Sequence, residues 1–150
     1  MRAVLHADGG ARGNPGPAGI GIVLEDHRGE VIERLARGIG VATNNVAEYQ
    51  ALIAGLELAL ARGVTEVQVY LDSVLVVSQV KGEWKIKKDS LRTLAARASS
   101  LLQRFESFTI AHVPREKNAD ADKLANEGMD EAEAELGEAP GTPGQASFLD

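Results

Sequence analysis

Residues 2–39 read RAVLHADGGARGNPGPAGIGIVLEDHRGEVIERLARGI, and this stretch decides the fold class. Residues 3–8 have the apolar content of a strand that ends in Asp8. The run Gly9-Gly10-Ala11-Arg12-Gly13-Asn14-Pro15-Gly16-Pro17 is too rich in Gly and Pro for regular structure and reads as a loop. Residues 18–24, small and β-branched, form a second strand. Asp26-His27-Arg28-Gly29 is a hairpin turn, and residues 31–39 pair back as a third strand. Three consecutive strands with short connections imply an antiparallel meander.

Beyond residue 39 the period changes. Residues 46–62 are rich in Ala, Leu and Glu and read as a long helix, with Leu52, Leu56, Ala59 and Leu60 as its apolar stripe and Gly63 as its stop. Residues 66–71 form a fourth strand and 73–80 a short helix. Residues 90–105 form a helix with Leu91, Leu94, Ala98, Leu101 and Leu102 at helical spacing. Residues 108–113 are a fifth strand, and a last helix covers 119–136. Strands four and five, joined through helices, must run parallel. The expected domain is therefore 1–136. Residues 137–150, with two Pro and three Gly, read as a disordered acidic tail.

A chain of 150 residues, 44% of them hydrophobic, is enough for one domain with a real core. The absence of cysteine excludes a disulfide scaffold, a thiolate metal site and a cysteine nucleophile. No apolar run approaches the ~20 residues of a membrane span, and strand-like sequence starts at once, so the expectation is a cytoplasmic monomer with no membrane partner. The net charge of −6 is uneven. Residues 127–150 carry seven acids and no Lys or Arg, so residues 1–126 set fifteen acids against sixteen bases. It is this local field that a phosphate backbone meets.

Four acids stand out. Asp8 and Asp72 end the first and fourth strands, and if those strands are neighbours both carboxylates reach one sheet edge, where open α/β sheets place their sites. Glu48 is four residues before Leu52 and shares the stripe that faces the sheet. Asp122 sits early in the last helix among Ala121, Leu124 and Ala125. Each has a purely structural reading too. Asp8 is placed to begin a turn, Asp72 to cap the helix that starts at Ser73, Glu48 to close a capping box with Asn45, and Asp122 to be a solvated helix acid. Their joint placement is the stronger signal. Carboxylates gathered in one cleft repel unless cations bind, and hard oxygen donors suit Mg²⁺ or Mn²⁺.

The segments DGGARGNPGPAGIG from Asp8, TNNVAEYQAL from Thr43, VYLDS from Val69 and HVPREKNADADKLAN from His112 resemble the four motifs of type 1 ribonuclease H, in order and at similar spacing. The match spans roughly residues 2–130 and is nearest the compact archaeal and bacterial branch. It implies an α/β fold with a five-stranded mixed sheet of order 3-2-1-4-5 and helices on both faces. It also implies an endonuclease that cuts the RNA strand of an RNA–DNA hybrid. Two Mg²⁺ or Mn²⁺ ions on Asp8, Glu48, Asp72 and Asp122 would assist in-line hydrolysis to 5′-phosphate and 3′-hydroxyl ends. Asp122 is chosen over Asp120 because the family's acid lies four residues after an Asn, here Asn118, and just before Leu-Ala.

The family's best-studied bacterial pattern has a catalytic His before this acid. Here the loop reads Pro114-Arg115-Glu116-Lys117, and Arg115 is the expected counterpart, with His112 the alternative. The resemblance further implies RNA contacts from backbone at Gly10, Ala11 and Arg12 and from the side chains of Asn14, Asn44, Glu48 and Ser73. Thr43 and Asn45 would meet the DNA strand. In place of the long basic insertion of other members there is only Lys81, Lys85, Lys87 and Lys88 around Trp84, a phosphate and sugar surface or a solvated loop with a buried Trp.

Rival readings are less well supported. Related exonucleases need an acid at position 10, where this chain has Gly10. An actin-like phosphotransferase needs a longer, two-lobed chain, and there is no P-loop. A hybrid-binding module with weak or no cleavage is the alternative to an enzyme, and the intact acids argue against it.

Overall fold

The structure, a computed structural model, describes residues 1–137. Five strands, β1 (Arg2–Ala11), β2 (Gly16–Asp26), β3 (Val31–Ala42), β4 (Glu66–Leu71) and β5 (Ser107–His112), form one sheet of order β3-β2-β1-β4-β5. β1 pairs with β2, and β2 with β3, antiparallel; β4 runs parallel to both β1 and β5. The mixed sheet and its order are as expected. The helices are α1 (Asn44–Ala61), α2 (Val74–Val80), α3 (Asp89–Leu102) and α4 (Ala119–Gly137), with a 3₁₀ turn over Arg115–Asn118. The acidic tail expected from residue 137 onward lies outside the described residues, apart from Gly137, which ends α4. Among the described residues no helix is long and apolar enough to cross a membrane.

Strand alternation divides the side chains between two faces. Leu5, Ile20, Ile22 and Leu24 point to one face and bury against Leu52 and Leu56 of α1, with Leu101 and Leu102 of α3 behind. Removing one such Leu side chain is worth about 2–5 kcal/mol. The opposite face of β1, β2 and β3 is covered by α4.

The strands exceed their expected lengths at the end that matters. Gly9, Gly10 and Ala11 continue β1, and Gly16 and Pro17 open β2, so the loop of residues 9–17 shrinks to 12–15. Gly content was read as a break, but here glycine makes room. A Cβ on Gly9 would stand 2.1 Å from the Ala47 carbonyl oxygen of α1. On the other face, a Cβ on Gly21 would stand 2.1 Å from the Ala121 carbonyl oxygen and one on Gly19 2.3 Å from Met129 N, both in α4. Gly128 returns the favour from the helix side, 2.4 Å from the Arg37 carbonyl oxygen. Both helices therefore lie backbone to backbone on the sheet.

Gly21→Ala must push α4 off β2. It is expected to lower the unfolding free energy by about 1–3 kcal/mol, the usual cost of overpacking, read as a fall in the urea midpoint. Midpoints equal within error would show that α4 is not in backbone contact.

Candidate active site

Asp8 is opposite Gly21 in the β1–β2 ladder and only 6% exposed. Alternation puts it on the α4 face. Asp72 follows the last residue of β4. It does not cap α2: Ser73 does, its Oγ accepting from Val76 N–H at 3.1 Å. Glu48 closes no capping box either. Thr43 caps α1 by accepting from Val46 N–H at 3.2 Å, and Glu48 Oε1 accepts from Gly9 N–H at 2.9 Å. With local duties met by neighbours, one oxygen from each of Asp8, Glu48 and Asp72 falls within 4.8 Å of the others.

Asp122 stands outside that tight group but lines the same cleft, of about 470 Å³. Its Oδ1 accepts from Arg115 Nη2 at 3.3 Å. Asp120 is exposed. The residue that sets this geometry is Asn118, 1% exposed, whose Nδ2 donates to the Ala7 carbonyl at 3.0 Å while its Oδ1 meets His6 Nδ1 at 3.1 Å. It latches the start of α4 beside Asp8, so the acid one turn later arrives at the cleft. His112 ends β5, exposed and away from the cleft lining, whereas Arg115 lines it.

The charges are frustrated. Burial first, then the Glu48 and Asp72 charges, then hydrogen bonding to Asp122 and Asp72, push the Asp8 carboxyl up to about 10. Burial pushes Glu48 up to about 8, the Gly9 N–H offsets part of that, and the Asp72 charge adds to it. Three hard oxygen donors with no nitrogen or sulfur among them fit Mg²⁺ or Mn²⁺, whose charge would remove the repulsion.

Gly10, Ala11, Arg12 and Asn44, expected at the RNA, line the cleft. Asn14 does not, but its Oδ1 accepts from Asn44 N–H at 3.0 Å. Thr43, Asn45 and Ser73 are not in the cleft lining; they sit at the helix starts, next in sequence to the lining residues Asn44 and Asp72, and Thr43 and Ser73 serve as caps. Trp84 is 50% exposed, so the reading of a buried Trp fails; Lys85, Lys87 and Lys88 are exposed with it and are not part of the cleft lining. Three lining residues had been given no role from the sequence: Gly9 of β1, and Asn126 and Met129 of α4, Asn126 having entered only as the last residue of the fourth motif. Helical spacing from Asp122 would have found Asn126, one turn on.

Between pH ~4, where unfolded carboxyls titrate, and the raised values of about 8 and 10, the metal-free native state holds protons that the unfolded chain has lost. Its stability therefore falls as pH rises through that window. In chelator, the melting temperature is expected to drop between pH 5 and 9, and Mg²⁺ or Asp8→Asn to flatten the drop. Thermal melts at each pH check this; a wild-type profile parallel to that of Asp8→Asn would refute it.

A family profile described as "Reverse transcriptase-like" matches residues 6–128. The bifunctional protein Rv2228c of Mycobacterium tuberculosis is 49% identical over 134 residues, 88% of this chain but 36% of that protein. This chain thus spans about a third of that relative's length. The crystal structure of RNase H1 from Halobacterium salinarum is 45% identical, covers 88% of this chain and 100% of that one, and superposes with a TM-score of 0.86. LC11-RNase H1 in complex with an RNA/DNA hybrid is 43% identical, with 87% and 98% coverage and a TM-score of 0.82. With the sheet order, the acid cluster and these matches agreeing, the chain belongs to the ribonuclease H family.

Proposed function

We propose that the protein is an endoribonuclease that hydrolyses the RNA strand of RNA–DNA hybrids with two divalent cations, leaving 5′-phosphate and 3′-hydroxyl ends. The observation that carries this is the convergence of Asp8, Glu48 and Asp72 within 4.8 Å, at a cleft whose rim is strand backbone. The hybrid bound by LC11-RNase H1 supports the substrate class. Mg²⁺ or Mn²⁺ would be held by these three acids and Asp122, and supplies activation of water and charge for the phosphate.

The remaining work belongs to side chains and backbone. Glu48 is fixed by Gly9 N–H, so its free oxygen is pre-aimed at the cleft. The Arg115 guanidinium, whose protonated form the Asp122 charge and hydrogen bond favour further, cannot give up a proton near neutral pH. It therefore acts as a fixed positive charge toward the scissile phosphate and orients Asp122, rather than as an acid or base. Gly10 and Ala11 present a rim with little or no side chain, which a sugar can approach closely. Asn14, Asn44 and Ser73 offer polar groups to the 2′-hydroxyls that distinguish RNA. Thr43 and Asn45 face the DNA strand, and Lys85, Lys87 and Lys88 with Trp84 extend the phosphate surface. We place the protein in the cytoplasm, as a monomer.

Labelled RNA–DNA hybrid, double-stranded RNA and double-stranded DNA are to be incubated with protein and Mg²⁺ or Mn²⁺. Internal cleavage of the hybrid's RNA is expected, falling at least about 100-fold in Asp72→Asn and stopping with chelator. Binding without cleavage in either metal would instead make this a hybrid-binding module. In the same assay Arg115→Ala should lower kcat about ten- to a hundredfold and His112→Ala should leave it near wild type. The reverse order would transfer the role to His112.

A further inference from the structure

Arg12 lines the cleft, yet its guanidinium lies against α4. Its Nη1 donates at 2.6 Å both to Asp130 Oδ1 and to Glu133 Oε1, and its Nη2 donates to the Asn126 carbonyl at 3.3 Å. Asp130 and Glu133 are three residues apart and share one helix face, the spacing a single guanidinium fork can bridge. The Arg12 backbone N–H donates to the Pro17 carbonyl at 2.9 Å and closes the β1–β2 turn. Next to it, Ala11 N–H donates to Asn44 Oδ1 at 2.9 Å. The Gly10–Ala11 rim is thus tied to α1 by an asparagine and to α4 by one arginine.

A loop arginine at a nucleic-acid cleft invites the reading of a phosphate ligand. Here two carboxylates already hold its charge, and the cluster of three carries net −1. Reaching a phosphate would break both charge-assisted bonds. We infer that Arg12 is a positioning residue, which uses Asp130 and Glu133 as anchors on α4 to set the Gly10–Ala11 rim for the RNA strand. This role rests on the hybrid-cleaving activity proposed above.

The test is steady-state hybrid cleavage by wild type, Arg12→Ala, Arg12→Lys and the double variant Asp130→Asn with Glu133→Gln, over a range of KCl. Amide hydrogen exchange over residues 10–17 accompanies it. Arg12→Ala is expected to raise KM about three- to tenfold, the scale of one or two exposed charged contacts, with kcat near wild type. It should leave the slope of log KM against log salt unchanged and speed exchange at Ala11. The double variant should move KM and exchange the same way, and Arg12→Lys should recover part of both, since an ammonium can still pair with one acid. If Arg12 is instead a phosphate ligand, Arg12→Ala lowers the salt slope by about one contact and the double variant, with the arginine freed, lowers KM. That result overturns the role, as does an unchanged KM in Arg12→Ala against an active wild type. A wild type that cleaves no hybrid overturns the activity and this role together.

Discussion

Two helices touch this sheet backbone to backbone, and the site depends on it. α1 rests its Ala47 carbonyl over Gly9, and α4 rests its Ala121 carbonyl over Gly21. The acids that matter are the next residues along, Glu48 and Asp122. Each is carried in by a helix that packs as closely as it does only because a strand residue lacks a Cβ. Asp8, beside Gly9 in sequence and across from Gly21 in the ladder, lies between the two approaches. One pair of glycines therefore fixes three of the four carboxylates, and β4, in parallel register with β1, delivers Asp72.

Such a site opposes its own assembly. A buried Asp8 among like charges keeps its proton well above the carboxylate range, so the metal-free fold carries a local conflict that the aliphatic core must outweigh. The conflict also defines what would relieve it. It can be relieved by small hard cations that bring charge without bulk, and less well by a side chain. Arg115 reaches Asp122 at 3.3 Å, at the exposed margin of the cleft, while the backbone donor that meets the Asp8–Glu48–Asp72 group is the Gly9 N–H, on Glu48.

Much of this was legible in the sequence, for identifiable reasons. The sheet order followed from the meander, the helical crossover and the resemblance. The four acids were found because Asp72 follows a strand and Glu48 and Asp122 lie early in helices, and because Asp8, inside β1, was read as its end. What misled was glycine. Gly9-Gly10 looks like a break to any reading based on propensity, and its real function, admitting α1, involves Ala47, thirty-eight residues away. Propensity cannot see such a contact. The capping alternatives stayed open for a related reason: Ser73 and Thr43 are ordinary caps, but that they, and not Asp72 and Glu48, fill those positions shows only once the helix starts are fixed to one residue. Asn118 was noticed only as a spacing marker, although it is the buried latch that aims α4.

The acidity of the chain looks opposed to binding a polyanion until the acids of α4 are followed to their partners. Asp130 and Glu133 hold Arg12, and Glu131 Oε1 accepts from Gly38 N–H at 2.8 Å, which ties the same helix to β3. These charges hold α4 to the sheet and its turn; they do not simply face solvent. A field calculated from the sum of −6 would treat them as repulsion toward a phosphate backbone. Screening limits their reach to about 8–10 Å in ordinary salt, and within that distance two of them are met by the Arg12 guanidinium. On the proposed function, the charge that an approaching strand would meet is therefore set at the cleft, where Arg115, the strand backbone and the cations that the acids would hold face it.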